Sequence, residues 1–156
     1  MGRFVKQDEI INIVREGQAE GKTFVVTNGC FDILHVGHVR YLKKTKKYAD
    51  YSIVMLNSDI SVKSIKGENR PINCEEDRAE ILSSLNCVDY VVLFDEKSPA
   101  KLLEDIKPDV YTKGADYSLE TLPERDVVVK NNIKVEFIEF VDGKSTTNVI
   151  KKINEK

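Results

Sequence analysis

Residues 23–38 read Thr-Phe-Val-Val-Thr-Asn-Gly-Cys-Phe-Asp-Ile-Leu-His-Val-Gly-His. The first five are β-branched or aromatic and predict a short buried strand, Thr23–Thr27. After the loop, Val36, Val39 and Leu42 recur three residues apart and predict a helix over His35–Tyr48. Both histidines of the chain stand at its start, three residues apart, so their rings share one face of the first turn. Gly37 between them has no side chain and lets a ligand approach the backbone. The N–H groups at a helix start favour anions. Two imidazoles, a glycine and a helix N-terminus together predict a phosphate site. The plainer alternative is a capping pair with no further role.

Outward from this stretch, strands and helices alternate. Residues 8–19 place Ile10, Ile11, Ile13 and Val14 on one helical stripe. Tyr51–Leu56 is a strand, Glu75–Leu85 a helix with acids in its first turn, and Val88–Phe94 a strand. Ser98–Ile106 is a helix with Ser98 as N-cap and Pro99 at its first position. Asp109–Thr112 is a strand, Pro123–Lys130 a helix and Ile133–Phe140 a strand. Ser145–Ile153 closes as a helix capped by Ser145 or a neighbouring threonine. This order predicts an α/β fold: one domain over residues 1–156, with a mainly parallel sheet flanked by helices. Ligands in such sheets bind beyond the carboxyl ends of the strands. The loops of interest therefore follow Thr27, Leu56, Phe94, Thr112 and Phe140.

The chain has 156 residues, 41% hydrophobic and 32% charged, which suits a globular domain. Its 24 basic and 26 acidic residues give a net charge of −2, against a long nucleic-acid partner. No secretory signal or membrane span is expected. Cys30, Cys74 and Cys87 are too few for a disulfide framework and fit free thiols in a cytoplasmic protein. Cys30, His35 and His38 lack a fourth ligand for structural zinc. Glu20-Gly21-Lys22-Thr23 fails as a phosphate-binding P-loop, because Glu16 stands where that motif needs glycine.

The stretch TNGCFDILHVGHVRYL resembles the HxGH signature of the cytidylyltransferase-like nucleotidyltransferases. The chain is most similar to the branch formed by heptose 1-phosphate adenylyltransferase domains. The likeness continues through NSD at 57–59, KGENRPIN at 66–73, EEDRAEIL at 75–82, CVDYVV at 87–92, KPDVYTKGADY at 107–117 and GKSTTNVI at 143–150. It implies a Rossmann-like fold and transfer of a nucleoside monophosphate from an NTP, accompanied by Mg2+, to a phosphorylated acceptor. The branch implies ATP and D-glycero-D-manno-heptose 1-phosphate. The alternative is CTP with glycerol 3-phosphate or another polyol phosphate. No dedicated protein metal site, no nucleic acid and no membrane partner are expected; a homodimer is.

The same resemblance implies roles residue by residue. His35, His38 and Lys66 are catalytic, the histidines stabilising the α-phosphate. Gly29, Cys30, Phe31, Asp32 and Gly37 belong with them to the nucleotide site, Cys30 and Phe31 through backbone N–H groups. Asp32 either helps place the metal or fixes the loop. Gly114 and Asp116 match a nucleoside-contacting turn. Ser145, Thr146 and Thr147 meet the β- and γ-phosphates. Lys63, Arg70, Arg78 and Lys97 are acceptor-site candidates, Lys63 and Lys66 lying in a loop region after the second strand. Cys30, where much of the superfamily has threonine, is typical of the heptose branch. Phe140 replaces an arginine of the glycerol branch. Lys97 resembles a lysine of that same branch. Bifunctional heptose enzymes add a sugar kinase domain that these residues do not contain, so another protein is expected to supply the sugar 1-phosphate.

Overall fold

The computed structural model describes residues 2–139 and 146–155. The predicted strand at 23–27 becomes β2 (Phe24–Gly29), the centre of a six-stranded parallel sheet. Its neighbours are β3 (Tyr51–Asn57) and β5 (Val110–Gly114). Beyond β3 lie β4 (Tyr90–Phe94) and the two-residue edge β1 (Arg3–Phe4); beyond β5 lies β6 (Lys134–Ile138). The order is β1-β4-β3-β2-β5-β6. From β2 the chain runs one way to β3 and β4, then crosses back to β5 on the other side. This reversal opens a crevice at the carboxyl ends of β2 and β5, where α/β sheets bind ligands.

Because side chains alternate across a strand, each strand serves two cores. Val26, Ile53, Met55, Val92, Phe94 and Tyr111 face α1 (Gln7–Ala19), α5 (Ala100–Ile106) and α6 (Arg125–Lys130). Val54, Leu56, Val91 and Ile138 face α2 (Val36–Lys46) and α4 (Glu75–Ser83). Ile10 and Val14 of α1 are wholly buried, as their stripe predicts; each such side chain contributes about 1.5–3 kcal/mol. Gly17 of α1 is required by packing: a Cβ there would lie 2.5 Å from the Phe24 ring.

Under α2, four hydroxyls join helix to sheet. Tyr41 Oη lies 2.9 Å from Thr27 Oγ1 and 3.3 Å from Thr112 Oγ1. Thr45 Oγ1 is 3.0 Å from Thr112 Oγ1, and Thr27 Oγ1 donates to the Thr112 carbonyl at 3.2 Å. All four residues are buried. Burial pushes the Tyr41 hydroxyl up, so it stays protonated.

Two elements depart from the sequence reading. Arg3–Phe4 is too short to show periodicity. Residues expected as loop form α3 (Asp59–Lys66), whose N-cap Ser58 accepts from the Ser61 N–H. Only Ser61 and Val62 of α3 are buried while Ile60 and Ile65 are exposed, so no apolar stripe marks the helix. Pro99 is the N-cap of α5 rather than its first residue, and Ser98 Oγ accepts from the Ala100 N–H. The last helix, α7 (Thr146–Asn154), falls close to its expected place. Among the described residues no helix is long and apolar enough to cross a membrane.

Candidate active site

The loop after β2 turns sharply at Phe31, whose φ of 44° is left-handed. That conformation costs a non-glycine residue about 1–3 kcal/mol and persists only where the surroundings impose it. Here Phe31 is buried, and its ring meets His38 edge-on at 5.1 Å. A Cβ on Gly29 would fall 2.8 Å from that ring, so the glycine admits the turn.

His35 is the N-cap of α2, and its Nδ1 accepts from the Gly37 N–H at 3.0 Å. His38 Nδ1 accepts from the His35 N–H at 3.3 Å. The pair thus forms a reciprocal cap made of imidazoles. The rings stack with centroids 3.8 Å apart. Since both Nδ1 atoms accept, each neutral ring carries its proton on Nε2. Burial, then the neighbouring His35, lowers the His38 pKa to about 4. At neutral pH His38 is an uncharged donor, aligned before any substrate arrives. Capping occupies only the Nδ1 atoms and leaves the Nε2–H groups for a ligand, so the capping role does not exclude the expected phosphate role.

These histidines line a cavity of about 810 Å³ spanning the carboxyl ends of the strands. That volume suits a nucleotide with room to spare. Of the predicted residues, Gly29, Cys30, Phe31, Asp32, Gly37, Lys66, Arg70, Lys97, Gly114 and Thr147 also line it. Burial pushes the Cys30 thiol up against the pull of Lys66, Arg78 and Arg70, so it is no thiolate nucleophile at neutral pH.

Asp32 holds the loop. Its carboxylate accepts from the Ile72 and Asn73 N–H groups at 2.9 Å each and from Arg70 Nε at 2.8 Å. Burial works to raise its pKa, but the two amides and the guanidinium outweigh it and hold it below the ordinary value. Among the described residues no group of three or more His, Cys, Asp or Glu could hold a metal ion.

Arg78, expected either to meet the acceptor or to serve a structural ion pair, takes the second part: it is 1% exposed and makes four hydrogen bonds within the protein. It donates to the carbonyls of Asn73 (2.9 Å), Cys30 (2.8 Å) and Asn57 (2.7 Å), and pairs with Asp59 at 2.8 Å. It clamps the loops after β2 and β3 to the segment before α4. Lys63 and Asp116 are exposed and absent from the cavity lining. Lys63 and Lys66 both sit on α3 rather than in a loop, and of the two only Lys66 lines the cavity. Ser145 lies outside the described residues, and of Thr146 only the backbone is described, as the first residue of α7.

The sequence reading passed over Lys113 and Glu124, which both line the cavity. Lys113 Nζ donates to Asn28 Oδ1 at 3.3 Å, lies 3.7 Å from Glu124 Oε1 and sits 4.9 Å above the Tyr117 ring. Its position near the carboxyl end of a strand was the available signal. Glu124, before α6, looks in sequence like any acid at a helix start.

A parallel α/β sheet with an imidazole-capped helix over a lysine-lined cavity at its switch point defines the nucleotidyltransferase class of enzyme. The cytidylyltransferase-like family matches residues 26–152, and the chain belongs to it. It is 52% identical over 146 residues to the bifunctional protein HldE of Geobacter metallireducens, covering 94% of this chain and 30% of that protein. The HldE of Campylobacter fetus is 49% identical over 151 residues, covering 97% and 31%. The chain thus spans under a third of the length of these relatives. A crystal structure of the lipopolysaccharide core biosynthesis protein from Thermoplasma volcanium GSS1 superposes with a TM-score of 0.62 at 34% identity, covering 78% of this chain and 98% of that one.

Proposed function

We propose that the protein transfers AMP from ATP to D-glycero-D-manno-heptose 1-phosphate, releasing pyrophosphate. The observation that carries the reading is the stacked His35–His38 pair, with both Nδ1 atoms held by backbone N–H groups. An oxygen of the acceptor phosphate attacks the α-phosphorus, and the bond to the bridging β-oxygen breaks. The electron pair leaves with pyrophosphate. A phosphate dianion needs no general base. Catalysis is then alignment and charge stabilisation, and two fixed Nε2–H donors at the α-phosphate supply both. Lys66 and the first turn of α7, where Thr147 lines the cavity, are suited to the triphosphate. Mg2+ would enter as the nucleotide chelate, bound by phosphate oxygens and water. The similarity to HldE proteins supports the heptose acceptor. The proposal extends to a cytoplasmic homodimer without nucleic-acid or membrane partners.

One observation favours a second reading: Lys97 lines the cavity, as a glycerol-type acceptor lysine would. Pyrophosphate release over four NTPs crossed with heptose 1-phosphate, other sugar phosphates and glycerol 3-phosphate separates the two. ATP with heptose 1-phosphate should give the highest kcat/KM. Preference for CTP with glycerol 3-phosphate would replace it.

A further inference from the structure

The cavity has two unlike walls. His35 and His38 belong to α2 on one face of the sheet. On the other face, Lys97 precedes α5, and Tyr111, Lys113 and Glu124 cluster beside α6. Glu124 is 2% exposed. Its Oε1 lies 2.9 Å from the Tyr111 hydroxyl, whose one proton is shared with Asn28 Oδ1 at 2.7 Å, and 3.7 Å from Lys113 Nζ. Burial and the Glu124 carboxylate push the Tyr111 hydroxyl well up, so it remains protonated. The second carboxylate oxygen, Oε2, is buried and has no hydrogen-bond partner among the described residues. Such an atom costs about 1–3 kcal/mol, more when charged. A carboxylate repels phosphate, so in a phosphate-binding cavity it suits a hydrogen-bond donor. Lysines 97 and 113 on the same wall suit the phosphate of the same ligand.

We propose that Glu124 is a specificity-determining residue that accepts a hydrogen bond, through Oε2, from a hydroxyl of the acceptor. The acceptor is then a hydroxyl-bearing sugar phosphate, bound on the α5–α6 wall opposite the histidines. Tyr111 and Lys113 both lie against Oε1 and keep the carboxylate in place, and Lys113 balances its charge. A ligand without hydroxyls leaves Oε2 unsatisfied and is disfavoured. The inference rests on the nucleotidyl-transfer reading for the identity of the second ligand.

The test is calorimetric and needs no turnover. The protein is saturated with Mg2+ and α,β-methylene-ATP, then titrated with D-glycero-D-manno-heptose 1-phosphate or with cyclohexyl phosphate, a six-membered ring without hydroxyls. The wild type should prefer the sugar phosphate at least ~10-fold, the scale of one unsatisfied buried acceptor. Glu124→Gln, of the same shape, should reduce that preference by ~10-fold and leave the nucleotide Kd within ~2-fold. Glu124→Asp, which keeps the charge but withdraws it by one methylene, should do the same. Should neither variant fold, equal wild-type affinity for the two phosphates still overturns the assignment. Equal affinity for the two phosphates, an unchanged preference in a folded variant, or a weakened nucleotide instead of a weakened acceptor would each overturn the assignment. Failure of the transfer reading shows separately, as absent pyrophosphate release with every substrate pair.

Discussion

Replacing Arg78 with methionine should destabilise the protein by about 4 kcal/mol. The side chain is wholly buried, and its loss leaves the Asn73, Cys30 and Asn57 carbonyls without their donor. Breaking a buried ion pair by removing one partner costs about 3–5 kcal/mol. Asp59 is 32% exposed at its side chain, so water takes up part of its charge. The three carbonyls restore the total, at roughly 1 kcal/mol each. Methionine fills much of the volume, so the cavity contribution is small. For a chain of this length the loss lowers Tm by about 10 °C. Urea unfolding followed by circular dichroism reads it as a fall in midpoint at constant slope. Arg78→Lys should recover little, because one ammonium cannot span four acceptors spread over three segments. The reasoning fails if Arg78→Met loses under ~1 kcal/mol while the acceptor KM rises. The arginine would then serve substrate, as the family resemblance implies.

Further outcomes follow from the site. His35→Ala and His38→Ala should each lower kcat at least ~100-fold in steady-state assays. His35→Ala should also lose about 1 kcal/mol of stability to urea, because that residue caps α2. His38 has a folded pKa of about 4, below the ~6.5 of an unfolded histidine. Between those values the unfolded chain binds a proton that the folded one does not, so stability falls as pH drops from 6.5 to 4. Urea midpoints should show a smaller fall for His38→Gln over that window. Lys66→Ala should weaken Mg2+–ATP binding several-fold by calorimetry, Lys97→Ala should raise the acceptor KM, and Lys63→Ala should change neither.

The lining of the cavity beside α2 could be read from the sequence because its parts are contiguous: turn, glycine and two histidines within eleven residues. The strands were equally plain, since a parallel sheet buried on both faces writes itself as unbroken apolar runs. Tertiary burial was not readable. Arg78 and Glu124 are charged residues on or beside short helices, and in sequence such residues belong at the surface. Only the fold shows that one is held by three backbone carbonyls and Asp59 and that the other faces the cavity. In sequence Asp32 suits either metal placement or loop fixing, and the two amides and the guanidinium on its carboxylate account for the second. α3 escaped because its exposed isoleucines break the helical stripe.

The hydroxyls of Thr27, Tyr41, Thr45 and Thr112 separate two qualities that a core usually supplies together. Apolar packing resists pulling a helix off a sheet, yet it tolerates small slides, because dispersion has little direction. Hydrogen bonds between hydroxyls hold over a few tenths of an ångström and fail beyond. Tyr41 and Thr45 lie on the helix whose first turn carries His38, so a slide of α2 along the sheet moves that imidazole by the same amount. A chain carrying valine at 27, 45 and 112 and phenylalanine at 41 would keep most of the buried volume, and replacing both partners of a hydrogen bond can be nearly neutral in stability. Its aim would suffer: melting curves would look sound while turnover fell. In this protein, durability is written in hydrocarbon and accuracy in hydroxyl groups.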